Sequence, residues 1–201
     1  MSRIALIAPT GMLGSAVYGV LKDRHDLILI LRDPQKIELL EQTYGFVKKH
    51  KIVTYDISDT QKDLLTGFTD ARFSPSLMRL TKEIGNIDML VNAAGVIKPH
   101  SLKDPATTLF VNGAFPHLLS SLFGEKLIQI TTDCAFSGLG NIAPYTEDSI
   151  KDPNDLYGVS KSLGEPSDRS LVLRTSIIGP EISGFVSLIA WVQKQSGQTI
   201  K

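Results

Sequence analysis

Short apolar runs alternate with amphipathic stretches along most of the chain. The spacing of the amphipathic stretches is helical, whereas the apolar runs are as short as buried strands. Strands that alternate with helices through short connections predict a parallel sheet covered by helices on both faces, an α/β fold with a doubly wound sheet. The predicted strands are Ile4–Ile7, Leu27–Leu31, Lys51–Tyr55, Met89–Asn92, Lys126–Thr131 and Leu171–Arg174.

Helical patterns fill the intervals between these runs. Asp33-Pro34 predicts a helix start, because Asp is a good N-cap and Pro suits the first helical position. Further helical patterns span 60–84, partly as loop, 104–123, a segment opening at Tyr157, and 185–195, while 199–201 read as the start of another strand. The apolar positions that predict the buried faces of the first two helices are Leu13, Val17, Val20 and Leu21, and then Ile37, Leu40 and Tyr44.

Composition narrows the function classes. The chain has 201 residues, of which 42% are hydrophobic and 21% charged, and its formal net charge is zero. Without a Lys/Arg run, we expect neither a nucleic-acid nor a membrane surface. The single cysteine, Cys134, excludes an internal disulfide and fits a reducing compartment, so we expect a cytoplasmic protein. The four histidines lack metal-ligand spacing, so no metal site is predicted.

A glycine-bearing turn follows the first strand. Residues 8–14 read Ala-Pro-Thr-Gly-Met-Leu-Gly, so Gly11 and Gly14 fit the spacing G-x-x-G-x-x-G with Ala8 in the first place. An alanine is compatible with this place only if its φ is negative. The turn predicts a Rossmann-type dinucleotide site with the pyrophosphate near Gly11, Met12 and Leu13. The alternative is a plain strand–turn–helix junction.

The end of the second strand indicates which dinucleotide is bound. Arg32 lies roughly 20 residues past the turn, where the cofactor ribose is recognised. An arginine there accommodates the 2′-phosphate of NADP, and Asp33 is better used as the N-cap before Pro34. The sequence therefore favours NADP(H) over NAD(H), the alternative being that Arg32 is a solvated surface charge.

Two further strand ends are candidate cofactor contacts. Asp56 can accept from the adenine amino group while Ile57 covers the ring, although Asp56 is equally suited to capping a loop. Ala93, Ala94 and Gly95 are small enough for a cofactor to lie against their backbone at the carboxyl end of the fourth strand. The alternative for these three residues is a tight turn.

Tyr157 and Lys161 are the strongest candidates for chemistry. Four residues apart, they share one face of the predicted helix. A nearby ammonium lowers the pKa of a phenol, and a hydroxyl from Thr131 or Thr132 can hold a carbonyl oxygen against it. With a dinucleotide, this set can move a hydride and a proton between a nicotinamide and a carbonyl group. Alternatively, Tyr157 packs, Lys161 is solvated and both threonines are ordinary strand residues.

Four motifs in series carry a family resemblance. Residues 131–138 read Thr-Thr-Asp-Cys-Ala-Phe-Ser-Gly, and 144–148 read Pro-Tyr-Thr-Glu-Asp. Residues 153–161 read Pro-Asn-Asp-Leu-Tyr-Gly-Val-Ser-Lys with Gly164-Glu165 behind them, and 173–176 read Leu-Arg-Thr-Ser. With the glycine turn, this series resembles the extended short-chain dehydrogenase/reductases, and more narrowly the dTDP-4-dehydrorhamnose reductases and related sugar-nucleotide enzymes. The resemblance covers nearly the whole chain.

The resemblance implies a role for each reacting side chain. Tyr157 would protonate the C4 ketone oxygen of the substrate during reduction. Lys161 would bind the nicotinamide ribose and lower the pKa of Tyr157, Thr132 would hydrogen-bond the substrate oxygen, and Asp133 would contact the substrate. Asn112 would be a structural or relay residue, or simply a polar group that packs between helices.

The resemblance also implies a function and a domain plan. Residues 1–201 would form a Rossmann-type NAD(P)-binding domain, with 1–180 as its core and 181–201 as the start of a substrate-binding part that is mostly absent. We expect an NADP-dependent reductase of a nucleotide-activated 4-keto sugar, serving deoxysugar or surface polysaccharide synthesis, with a homodimer as the common oligomer of such folds. Open alternatives are an epimerase or dehydratase of the same superfamily, or a non-catalytic NADP-binding regulatory subunit like that of methionine adenosyltransferase.

Overall fold

The strands lie where the apolar runs predict them. A computed structural model describes residues 1–45, 49–67, 70–139, 144–184 and 187–198. Every predicted strand is present, and each of its ends lies within one residue of the prediction. The strands are β1 (Arg3–Ile7), β2 (Asp26–Leu31), β3 (Lys51–Thr54), β4 (Met89–Asn92), β5 (Leu127–Thr132) and β6 (Leu171–Thr175).

The helices depart from the prediction in several places. The stretch predicted over 104–123 is two α-helices joined by a π-helical segment, Phe110–Ala114. A short helix beginning at Lys98 was not predicted, and residues 185, 186 and 199–201 lie outside the described residues. The helices are α1 (Met12–Leu21), α2 (Ile37–Tyr44), α3 (Ile57–Leu65), α4 (Pro75–Ile84), α5 (Lys98–Ser101), α6 (Pro105–Leu109), α7 (Phe115–Phe123), α8 (Leu156–Leu163) and α9 (Leu188–Lys194).

The strand order is that of a Rossmann-type sheet, β3-β2-β1-β4-β5-β6. The chain divides into two compact units, the first comprising residues 1–94 and 177–201 and the second residues 95–176. In the first unit β1 pairs in parallel with both β2 and β4, and β2 with β3. In the second unit β5 and β6 are parallel, with Thr131 opposite Arg174 and Thr132 opposite Thr175. The sequence-based prediction of a parallel α/β fold is confirmed.

Helix α1 buries the face that its apolar residues predicted only in part, since Leu13, Val17 and Leu21 are half-buried. Its buried residues are Gly14, Ser15 and Tyr18, whereas Val20 is 63% exposed. A β-carbon at Gly14 would lie 2.0 Å from the carbonyl oxygen of Ala8. The helix therefore approaches the preceding turn so closely at Gly14 that no β-carbon fits there, while the large side chain of Tyr18 is buried on the same face.

The backbone at Ala8 is strained. Its φ is +59°, in the left-handed region that favours glycine. The condition under which an alanine suits the first glycine position, a negative φ, is thus not met. The Ala8 amide donates to the Ile30 carbonyl at 2.9 Å and its carbonyl accepts from the Gly11 amide at 3.2 Å. These bonds hold the turn in its glycine-type shape despite the side chain.

Replacing Ala8 by glycine should stabilise the fold. The left-handed conformation costs an L-residue about 1–2 kcal/mol, and the greater freedom of glycine in the unfolded chain returns about 0.4–1 kcal/mol of this. We expect the free energy of unfolding in urea to rise by roughly 0.5–1 kcal/mol in Ala8→Gly. Ala5→Gly is the matched control, because Ala5 is fully buried in extended β1 and its replacement should destabilise. A loss of stability in Ala8→Gly would contradict the account.

Candidate active site

The β1–α1 turn leaves room at Gly11. This residue is the N-cap of α1 with φ −74°, a conformation open to any amino acid, and no side chain caps the helix. A β-carbon there would meet only the Ala8 carbonyl oxygen, at an ordinary 3.6 Å. The fold therefore does not require glycine at this position. Uncapped amides at a helix N-terminus, with no β-carbon in front of them, suit the close approach of a phosphate to Met12 and Leu13.

Three charged residues follow β2 and β3. Two of them, Asp33 and Asp56, cap helices, whereas the third, Arg32, has an exposed side chain. Asp33 accepts from the Gln35 amide at 3.1 Å, which confirms its predicted use as an N-cap. Asp56 caps α3, because its Oδ1 accepts from the Ser58 amide at 2.9 Å. This oxygen therefore has the capping role that the sequence allowed as an alternative. The other oxygen lies 4.0 Å from the guanidinium of Arg32, whose side chain is 73% exposed. Arg32 is thus held only loosely and can reach a ligand.

The small residues after β4 lie in a segment without regular secondary structure. Ala94 is buried, and its amide donates to Oδ1 of Asn92 at 3.2 Å. In the second unit, a β-carbon at Gly95 would lie 3.2 Å from Oδ1 of Asn112 and 3.4 Å from Nζ of Lys161. Gly95 therefore allows two polar side chains of its own unit to come close to its backbone.

Helix α8 is placed by its cap and by one glycine. Asp155 accepts from the Gly158 amide at 2.7 Å, and its carboxylate is 2.7 Å from the ammonium of Lys98. These two contacts lower the pKa of Asp155. A β-carbon at Gly158 would lie 2.3 Å from the Cys134 carbonyl oxygen, so only glycine lets α8 pack this closely against the residues after β5. Sequence reasoning overlooked Asp155 and Lys98, although an Asp just ahead of a helix is an N-cap signal.

The second unit brings Tyr157 and Thr132 together. Burial raises the pKa of Tyr157, and a hydrogen bond between its phenol and Thr132 acts against that rise. Thr131 is turned elsewhere, because its hydroxyl donates to the Lys161 carbonyl at 3.3 Å. Of the two threonines that the sequence left as candidates, Thr132 is therefore the one beside the phenol.

Lys161 was predicted to lower the pKa of Tyr157, and its surroundings in the structure are different from that expectation. Its side chain is buried, its ammonium donates to the Ile130 carbonyl at 2.8 Å, and burial lowers its pKa to about 8. The expected lowering of the Tyr157 pKa is not found, because burial dominates at the phenol and raises its pKa. An ammonium has three donors, so the bond to Ile130 leaves two for other acceptors.

Asn112 is held by three hydrogen bonds within its unit. Its Oδ1 accepts from the Val96 amide at 2.8 Å, and its Nδ2 donates to the Val96 carbonyl at 2.9 Å and to the Ser160 hydroxyl at 3.0 Å. It lies in the π-helical segment, and a β-carbon at Gly164 would be 1.8 Å from its carbonyl oxygen. The packing alternative thus describes its side chain well. Sequence reasoning did not identify Ser160 as its partner.

A cavity of about 940 Å³ lies within the second unit. Asp133 and Cys134 line it, and one wall is formed by the ring of Phe136 stacked on Tyr145, with centroids 4.5 Å apart. Arg174 binds the carboxylate of Glu165 through two nitrogens, at 3.0 and 2.9 Å. Ligand sites commonly have volumes of roughly 300–1,000 Å³, so the cavity can hold a small organic molecule next to Asp133.

Two other site types have no counterpart in the described ranges. Among these residues no group of three or more His, Cys, Asp or Glu side chains is arranged to hold a metal. Within the same part of the chain, no helix is both long and apolar enough to cross a bilayer.

Comparison with known proteins identifies the family. Residues 2–198 match the family described as RmlD substrate binding domain. The chain belongs to this family. Over 109 residues it is 35% identical to the spore coat polysaccharide biosynthesis protein SpsK of Bacillus subtilis (strain 168), a match that covers 49% of the chain and 38% of SpsK. Over 97 residues it is 31% identical to dTDP-4-dehydrorhamnose reductase of Streptomyces griseus, covering 47% of the chain and 29% of that protein.

Solved structures share the fold across nearly the whole chain. The Bordetella bronchiseptica enzyme WbmG, in complex with NAD and UDP, superposes with a TM-score of 0.69 at 18% identity over 99% of the chain and 61% of WbmG. The dTDP-glucose 4,6-dehydratase of Bacillus anthracis str. Ames, in complex with NAD, has a TM-score of 0.67 at 15% identity over 98% of the chain and 61% of that enzyme. The chain thus spans less than two thirds of the length of these relatives.

The two glycines of the turn should respond differently to substitution. Gly11→Ser should keep the stability of the fold, since serine is a better N-cap than glycine, yet weaken NADPH binding on the order of tenfold by filling the space before the helix. Gly14→Ala should lower the free energy of unfolding by roughly 1–3 kcal/mol, because its β-carbon meets the Ala8 carbonyl. Urea denaturation and fluorescence titration measure the two effects. Unaltered NADPH affinity in Gly11→Ser would place the phosphates elsewhere.

Proposed function

We propose that the protein is an NADP-dependent reductase of a nucleotide-activated 4-keto sugar. The observation that carries the proposal is the half-buried Tyr157 phenol, with Thr132 beside it, on the same helix as the buried ammonium of Lys161. Membership of the RmlD family and the similarity to a dTDP-4-dehydrorhamnose reductase support the substrate class. The similarity to a spore coat polysaccharide protein supports a place in polysaccharide synthesis.

Tyr157 is the proton donor in this proposal. Reduction of a ketone adds a hydride to carbon and a proton to oxygen, and NADPH supplies the hydride when bound. A raised phenol pKa keeps Tyr157 protonated at neutral pH, so it has a proton to give to the ketone oxygen. Thr132 holds the phenol in line with that oxygen, and Asp133, on the cavity wall, contacts a hydroxyl of the sugar.

Lys161 binds the cofactor ribose and stabilises the charge that follows proton transfer. With a pKa of about 8, its amine is mostly protonated at pH 7, and two of its donors are not used by the Ile130 carbonyl. A cation on the helix that carries Tyr157 favours the phenolate left after the proton has gone. Any stabilisation of the phenolate by Lys161 lowers the Tyr157 pKa, and it is smaller than the rise that burial causes.

The residues present fit a dinucleotide. Gly11, Met12 and Leu13 would bind the pyrophosphate at the uncapped start of α1, where a β-carbon at Gly11 would intrude. Asp56 and Ile57 would contact the adenine, the former through the oxygen that does not cap α3. The backbone of residues 93–95 would contact the cofactor.

Arg32 supports NADP over NAD. Its guanidinium is largely exposed and has only the 4.0 Å contact with Asp56, so it can turn to a 2′-phosphate. Asp33 is engaged in capping through Oδ1. A reductase consumes reduced cofactor, which fits a preference for NADPH. The reaction belongs to the cytoplasm, where the free thiol of Cys134 stays reduced; the homodimer stays a prediction.

Removing the phenol hydroxyl should abolish most of the activity. Tyr157→Phe keeps the ring and its packing but has no proton to give, so reduction should fall by a factor on the order of 10²–10⁴ while NADPH binding is retained. The decrease in NADPH absorbance with a nucleotide 4-keto sugar measures the rate. Tyr44→Phe, in the first unit, is the control that should stay active. Wild-type turnover in Tyr157→Phe would remove the phenol from the mechanism.

Removing the Arg32 side chain should reduce the preference for NADPH over NADH. Arg32→Ala loses a charge-assisted contact with the 2′-phosphate, typically worth about 1.5–3 kcal/mol, so NADPH affinity should fall at least tenfold while NADH affinity changes little. Titration of both cofactors followed by fluorescence gives the ratio of dissociation constants. Arg24→Ala, an exposed arginine before β2, is the control. If the ratio is the same in Arg32→Ala and wild type, another residue recognises the phosphate.

A further inference from the structure

Three hydroxyl groups form a buried chain between the end of β3 and the helices α3 and α4. The phenol of Tyr55, the residue after β3, bonds the Thr60 hydroxyl at 2.5 Å, and Thr60 bonds the Ser76 hydroxyl at 2.8 Å. The chain ends at Asp63, whose Oδ2 accepts from the Ser76 hydroxyl at 2.6 Å and from the Ser76 amide at 2.9 Å. Tyr55, Thr60 and Ser76 are all buried, and every bond lies within the first unit.

The carboxylate at one end sets the direction of each bond. Its two bonds from Ser76 lower the pKa of Asp63, so the carboxylate is ionised at neutral pH and only accepts. The one proton of the Ser76 hydroxyl goes to Asp63, so the Thr60 hydroxyl donates to Ser76. Burial raises the pKa of Tyr55, which keeps the phenol proton available for Thr60. Three donors in a row thus lead to a negative charge, an arrangement in which the bonds strengthen one another.

The bond between Tyr55 and Thr60 spans the turn that carries the proposed adenine contacts. Asp56 and Ile57 lie between the two bonded residues, and Asp56 is the N-cap of α3. Through Ser76, the first turn of α3 is also tied to α4, outside the segment itself. We propose that Tyr55 is a positioning residue for the adenine end of the dinucleotide, because the hydroxyl chain that it begins holds Asp56 and Ile57 in place. This role rests on the proposed function.

Loss of the Tyr55 hydroxyl should loosen this turn without emptying the space that the ring fills. The link from the end of β3 to Thr60 is then broken, so the backbone of Asp56 and Ile57 is fixed at one point fewer. Tyr55 is itself buried and is not one of the proposed cofactor contacts. We therefore expect weaker binding of ligands that contain adenine, and no change for a ligand that has only the nicotinamide half.

The first test divides the cofactor into its two halves. Tyr55→Phe should raise the dissociation constants of NADPH and ADP by a factor of about 3–10, the size expected for one hydrogen bond. The dissociation constant of reduced nicotinamide mononucleotide should stay at its wild-type value. Calorimetric titration measures all three ligands, once urea denaturation has shown that the variant is folded. Tyr44→Phe, the same substitution on α2 of the same unit, is the control and should leave each affinity unchanged.

A merely structural role for Tyr55 gives a different result. In that case the free energy of unfolding falls in Tyr55→Phe while the affinity for ADP stays at the wild-type value, which would overturn the proposal. An equal loss of affinity for ADP and for reduced nicotinamide mononucleotide would overturn it too, because the hydroxyl would then act on the whole site and not on its adenine end.

Ser76 tests whether the effect passes along the chain. Ser76→Ala removes the middle hydroxyl from α4, a helix that carries none of the proposed cofactor contacts, and should weaken ADP binding to a similar extent. Adding it to Tyr55→Phe should weaken binding no further, since both changes break one chain of bonds. Thr81→Ala removes an exposed hydroxyl that bonds the Met78 carbonyl on the same helix and should have no effect. Additive losses in the double variant would contradict the proposal.

Reduction of a nucleotide 4-keto sugar is measured separately, so the two proposals can fail independently. Wild-type protein that binds ADP and responds to these substitutions, but reduces no keto sugar, would keep the positioning role and reject the reductase. An active reductase whose Tyr55→Phe variant binds ADP as well as wild type would reject the positioning role alone. Wild-type protein that does not bind ADP would reject the positioning role as well, since no adenine contact would exist to be held.

Discussion

The close packing of α8 against the end of β5 is the constraint on which the candidate site depends. Gly158 lies over the Cys134 carbonyl with no space for a β-carbon, while the Lys161 ammonium donates to the Ile130 carbonyl and Thr131 donates back to the Lys161 carbonyl. These contacts fix α8 in both position and rotation. They bring the phenol to Thr132, and they bury an amine whose pKa consequently falls to about 8.

The two units carry different parts of the chemistry. The first has a helix N-terminus with no capping side chain and a turn in which Ala8 is held in a glycine-type conformation. The second has Tyr157, which we propose as the proton donor, with Thr132 beside it and a cavity lined in part by Asp133. Strain at Ala8 is tolerated because hydrogen bonds to Ile30 and Gly11 over-determine the turn.

Prediction from sequence succeeded where the signal is local. Strand ends followed from apolar runs, and the Asp33 cap followed from the Asp-Pro pair that opens a helix. The apolar pattern did not identify Gly14, Ser15 and Tyr18 as the buried residues of α1, because the close approach of Gly14 to the Ala8 carbonyl leaves no periodic hydrophobic signal. The directions of the pKa shifts of Tyr157 and Lys161 were also not predicted. Both shifts come mainly from burial, which depends on residues that are far away in sequence.

The central claim is that this chain transfers a hydride to a nucleotide 4-keto sugar while Tyr157 supplies the proton. The most direct measurement uses NADPH carrying two deuterium atoms at C4 of the nicotinamide, with dTDP-4-dehydrorhamnose as substrate. Mass spectrometry of the sugar nucleotide then measures how much deuterium has been transferred to it. The account predicts a reduced product that carries one deuterium at its former carbonyl carbon. A sugar that is recovered unreduced and free of deuterium, from protein shown to bind NADPH, would contradict it.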